Sequence, residues 1–327
     1  MSTLRPCLSI VLCAGFALSA ISIQAEPAYD LRALVVWTDV PNDDAPSDAQ
    51  RRYMDLFNNG DPLVGGSYAN GWAGTGSYTA LGSPAAGAEL NGPAPDYFGT
   101  AYGAGRMRFQ FADSVFRPSN LDQPGSVARR ESLVLADAAP PLLTSTRDFS
   151  AVTAWDFVTP DGPGGYGLML TDNPVQGLSA GQPFDDLIEL RVVRGSDGLP
   201  RVNLRRFSWD GSLLAISDVY NMNPANVLHA GAALGDVALI DLELDYSPAT
   251  PTAAAALRAS FWLQDDHDGD LGGAVFPVAL SIFHGEDTTQ LAASAVWAAA
   301  VPEPGIWALL IAGLGVVALQ ARHSKRR

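Results

Sequence analysis

Apolar and polar positions alternate with period two along several short stretches of the chain. In 240–246, Ile240, Leu242, Leu244 and Tyr246 fall on one side and Asp241, Glu243 and Asp245 on the other. In RMRFQF at 106–111, Met107, Phe109 and Phe111 alternate with Arg106, Arg108 and Gln110; in IELRV at 188–192, Ile188, Leu190 and Val192 alternate with Glu189 and Arg191. A helix would spread these charges around its cylinder, whereas a strand gathers them on one wet face, so the pattern predicts antiparallel strands. An opening strand is expected over 28–37, with further strands over 132–135, 151–157, 166–170, 202–207, 213–219, 259–263, 275–283 and 291–297. Turn-forming clusters rich in Gly and Asp separate them at 161–165, 195–198, 210–211 and 268–273. Trp262 and Trp297 lie in strand patterns and are expected in the core. Tyr53, Leu56 and Phe57 in AQRRYMDLF have three- and four-residue spacing, which predicts a short helix over 49–57.

No long helical pattern lies between the strands, which argues against βαβ units. The expected fold is mainly β: an antiparallel β-sandwich or an irregular jelly-roll-like body. Residues 58–105 are dominated by Gly, Ala, Pro, Ser, Asn and Tyr, where a helix cannot persist. Turns with short strand fragments are expected there, with disorder as the alternative. The chain divides into a Gly/Ala/Pro-rich region over 26–105 that begins with a strand and a β-rich domain over 106–297, either separate or forming one domain. A stem at 298–304 follows.

Both ends have a different character. Residues 1–25 carry Arg5, an apolar stretch from Leu8 to Ile21, and Ala25 as a small residue at a cleavage position, the layout of a secretory signal peptide. At the other end, 306–321 is apolar or small except for Gln320, and Arg322, Lys325, Arg326 and Arg327 follow. That segment, within an anchor and tail at 305–327, predicts one C-terminal transmembrane helix slightly short of the ~20 residues of an upright span. Its basic end would face the cytoplasm, leaving the body outside.

Val301-Pro302-Glu303-Pro304, then an apolar helix, then a basic tail, resembles the PEP-CTERM sorting signal of Gram-negative bacteria. The signal tripeptide corresponds to Pro302, Glu303 and Pro304, and the basic end to Arg322, Lys325, Arg326 and Arg327. The resemblance implies export, a stay in the inner membrane with the body in the periplasm, and processing by an exosortase, a membrane transpeptidase-like enzyme. It implies a final place at the cell surface or in an exopolysaccharide matrix. It covers only the tail, about 301–327, and carries no catalytic residue.

Composition narrows the partners. Setting aside Arg5 and the four tail bases leaves 15 arginines against 35 acids, so the body carries about −20 with neutral histidines. Such a charge argues against nucleic acid. Cys7 and Cys13, the two cysteines, both lie in the signal segment, so the exported body has neither disulfide nor thiol nucleophile and must be held by its core.

Candidate chemistry is sparse. Gly177-Leu178-Ser179-Ala180-Gly181 matches G-x-S-x-G, yet Asn173-Pro174 precedes it and Pro183 follows, leaving no room for the helix an elbow needs. In DDHDGD at 265–270, Asp266, Asp268 and Asp270 alternate like the oxygen ligands that open a calcium loop, making Ca2+ the one cofactor with a candidate site. Leu271 stands where an EF-hand needs glycine and Pro277 where it needs glutamate, so the alternative is a solvated turn. His229, His267 and His284 form no metal-binding motif. Trp72, set among glycines, is the candidate for an exposed ring that stacks on sugar. The leading expectation is a non-enzymatic surface or matrix protein, structural or polysaccharide-binding. The alternatives are an exported hydrolase of polysaccharide or ester and a calcium-dependent adhesion module.

Overall fold

The computed structural model describes residues 28–39, 49–57, 64–70, 74–81, 89–91, 105–110, 117–118, 127–136, 141–160, 164–171, 186–209, 214–267, 269–278 and 289–298. The signal segment, the stem beyond 298, the PEP-CTERM-like tail, Trp72, Ser179, Asp268 and His284 lie outside the described residues. No helix among the described residues is long and apolar enough to cross a membrane.

The body is mainly β, antiparallel and nearly closed, as the alternation predicts. In the first sheet, β1 (Ala28–Thr38) pairs with β9 (Phe149–Asp156), which continues through β14 (Leu239–Ser247) and β15 (Ala256–Gln264) to β16 (Asp270–Val278). On its other edge, β1 pairs first with β6 (Gly105–Gln110) and then, near its end, with β2 (Arg51–Asp55). The second sheet runs from β13 (Leu214–Met222) through β12 (Pro200–Trp209), β11 (Asp186–Arg194), β10 (Gly165–Thr171) and β17 (Gln290–Ala298) to β8 (Val127–Leu135). β3 (Val64–Tyr68) pairs with β2, and β4 (Thr75–Leu81) pairs with both β3 and β8, which joins the two sheets along one flank. Short strands β5 (Glu89–Asn91) and β7 (Arg117–Pro118) extend β6 and β8. On the opposite flank, Tyr220 of β13 stacks on Phe276 of β16 with ring centroids 3.5 Å apart.

Between the sheets lies one apolar core. Ile240, Leu242, Leu244 and Tyr246 are buried in it, while Asp241, Glu243 and Asp245 face outward. Trp155 sits at its centre, 5.2 Å from Tyr166 and 5.4 Å from Phe109 between ring centroids. Large buried aromatics need partners for their polar ends. Trp155 Nε1 donates to Thr153 Oγ1 at 2.9 Å, and the Tyr166 hydroxyl donates to the Val158 carbonyl at 3.0 Å.

Three local expectations change. Residues 51–55 form β2 rather than a helix, because pairing with β1 turns Tyr53 and Asp55 inward and burial outweighs local spacing. Asp55 is accommodated by Tyr78, whose hydroxyl donates to Oδ2 at 2.8 Å, and by the Phe57 amide, which donates to Oδ1 at 2.8 Å. The charged face of β11 is not wet: Glu189 and Arg191 are both buried and pair at 3.5 Å. Trp262 is not in the core but 37% exposed on the outer face of the first sheet.

Candidate functional site

After β13 the chain leaves the second sheet and crosses to the first through two short 3-10 turns, Pro224–Val227 and Leu234–Asp236. The Asn223 side chain caps the first turn, accepting from the Ala225 amide at 3.0 Å; Asp236 Oδ2 accepts from the Ala233 amide at 2.8 Å in the second. Between the turns, Leu228 bridges to Gly272 and the His229 amide donates to the Leu271 carbonyl at 2.8 Å. Gly272 has φ +124°, and a Cβ there would lie 2.2 Å from the Val227 carbonyl oxygen. Only glycine lets β16 and this connection approach so closely.

Facing the connection is the hairpin between β15 and β16. Asp265 closes it: its amide donates to the Gly269 carbonyl at 3.0 Å, and its Oδ1 accepts from the amides of His267 at 2.8 Å and Gly269 at 2.7 Å. The Gly269 amide, then the His267 amide, holds the Asp265 carboxyl below the usual carboxylate range. Between connection and hairpin opens a cleft of about 760 Å3, lined among others by His229, Asp236, Asp265, Asp266 and Leu271. Its wall offers carboxylate acceptors and an imidazole, a surface suited to hydroxyl-rich or cationic ligands rather than to anions.

The expected calcium ligands divide. Asp266 lines the cleft and lies 3.7 Å from His267 Nε2. Asp270 begins β16, where Oδ1 accepts from the Gly272 amide at 2.9 Å. Asp268 lies outside the described residues, among which no group of three His, Cys, Asp or Glu is gathered around a metal position.

Beside the cleft, the outer face of β14, β15 and β16 carries a polar ladder. Trp262 stands directly opposite Asp241 and Gly273, and Ser260 opposite Glu243 and Val275. Gln264 Nε2 donates to Asp241 Oδ2 at 3.0 Å. Glu243 accepts from Ser150 at 2.7 Å and from Ser260 at 2.9 Å, while Arg258 Nη2 lies 3.8 Å from Asp245. Burial, and then the charge of Glu243, pushes the Asp245 carboxyl up to about 7. The exposure of Trp262 was available in ALRASFWLQ: Leu257, Ala259, Phe261 and Leu263 alternate on the core side, which leaves Arg258, Trp262 and Gln264 on the other face together with Ser260, which is covered there.

Residues 300–327 match the PEP-CTERM protein-sorting motif. No curated protein and no solved structure matches the chain. The motif marks an exported protein that carries its sorting signal at the C-terminal end of a β-sandwich body.

Proposed function

We propose that the protein is a non-catalytic component of the cell surface or extracellular matrix, and that its β-sandwich binds polysaccharide. The observation that carries this reading is the sorting motif at 300–327, placed after the body's last described strand. In this reading the apolar run at 306–321 first holds the chain in the inner membrane with its arginine-rich end inside. An exosortase-type enzyme then processes the tail, and the acidic body moves outward. The acidic charge keeps such a body soluble and away from anionic lipid.

Deleting 300–327 in the producing bacterium tests the reading. The truncated chain is expected to stay in the periplasm, while the intact chain reaches the surface or matrix fraction. Equal distribution of the two would contradict the sorting role. Release of reducing sugar or ester product by the purified chain would contradict the non-catalytic role.

A further inference from the structure

We propose that Trp262, Val275 and the row of polar side chains beside them form a platform for a neutral polysaccharide chain on the outer face of β14–β15–β16. The inference rests on the polysaccharide-binding reading and locates it.

Trp262 is the one aromatic side chain among the large hydrophobic residues exposed in the described part of the molecule; the others are Val or Leu. More than a third of the indole stays in water, and with its apolar neighbours on β16 it forms a contiguous patch that a partner could cover. Its position is fixed by its neighbour. A Cβ on Gly273 would lie 2.5 Å from Trp262 Cε3 and 3.0 Å from Cδ2, so the indole occupies the space a side chain would fill and lies across β16. Val275, 49% exposed, and exposed Pro277 continue an apolar track along the same face of β16.

A polar track runs parallel to it. Asp241 and Glu243 on β14, both half-buried, alternate with core residues, and half-buried Gln264 flanks Trp262 on β15, while Ser260 on its other side is buried. Residues two apart on one strand lie about 6.8 Å from each other, so the platform extends along the strand over successive side chains. A pyranose chain has the matching duality: apolar C–H faces that stack on an aromatic ring and a hydroxyl rim that needs acceptors. The Gln264–Asp241 hydrogen bond fixes the half-buried Asp241 carboxylate, with Oδ1 turned inward, and buried Ser150 and Ser260 fix Glu243, so both carboxylates are in place before any ligand arrives.

Charge selects among polysaccharides. Asp241, Glu243 and Asp245 line this face, and Arg258 lies beside Asp245, so the local balance is negative. Uronate, sulfate or phosphate groups would be repelled, whereas uncharged hexose units would not.

The test is affinity electrophoresis of the intact exported chain in gels containing laminarin, hydroxyethylcellulose, dextran, polygalacturonate or the producing bacterium's own extracellular polysaccharide. At least one neutral polymer is expected to retard the wild type, and polygalacturonate is not. Trp262→Ala is expected to weaken retardation about tenfold or more, and Trp262→Tyr to retain most of it. Should Trp262→Ala unfold the sheet edge, Val275→Glu at an exposed position decides, with the same loss expected. Retardation of the wild type that neither Trp262→Ala nor Val275→Glu diminishes overturns the platform and leaves the polysaccharide-binding reading standing. No retardation of the wild type by any polymer overturns both.

Discussion

Asp245 shows how a single side chain couples this fold to pH. Burial and the adjacent Glu243 raise its carboxyl from the ordinary carboxylate range to about 7. The folded state therefore favours the protonated form. Its stabilising contribution is fully present below about pH 4, is lost as pH rises from there through 7, and is absent at pH 8. Asp245→Asn is expected to stabilise the protein at pH 8 by about 1–2 kcal/mol for a partly exposed site, seen as a higher melting temperature, and to change little at pH 4. Thermal melts of both proteins at the two pH values check this; equal shifts at both would contradict it. Tyr78 makes a second point at this scale. Its hydroxyl donates to Asp55 and accepts from Tyr53, so Tyr78→Phe strips a buried carboxyl of its nearest side-chain donor. A loss of about 1–3 kcal/mol is expected by urea unfolding. Trp155→Ala, at the centre of the aromatic core, is expected to cost about 3–5 kcal/mol in the same measurement.

At the scale of elements, the joint between Leu228 and Gly272 ties the connection to β16 beside the cleft. With φ +124° and the Val227 carbonyl against it, Gly272 admits no side chain without strain. Gly272→Ala is expected to destabilise the protein by more than ~1 kcal/mol and to speed amide exchange at His229, whose donor bond to Leu271 closes the joint. Elements were also where the sequence was most and least readable. The alternation at 240–246 states β14 outright, because each inward residue is apolar and each outward one acidic. β2 was obscured, because its inward Asp55 is polar and its partner on β4, Tyr78, lies in a distant glycine-rich stretch. Trp262 was wrongly expected in the core because large aromatics in strands usually point inward, although its alternation with Phe261 and Leu263 sets it on the outer face. The cleft was not legible: it depends on a long-range bridge between two turns, and no local pattern announces such a pairing.

For the whole molecule, two kinds of information sit in different places. Destination is written at the C-terminal end, in a motif that can be read without any fold. The polar groups of the body are spread over it, and His229 and Asp266 line one cleft because β13 hands the chain to β14 across the end of the sandwich. Burial raises the carboxyls of Asp55 and Asp156, as it does that of Asp245. These groups, together with a body charge of about −20, predict an exported chain more stable at mildly acidic than at alkaline pH. Mass spectrometry of the mature C-terminus, on protein recovered from the surface and matrix fractions of the producing bacterium, tests the account most directly. Exosortase processing predicts chains that end near Pro304 and lack 306–327. Recovery of the full basic tail in all mature protein would contradict it.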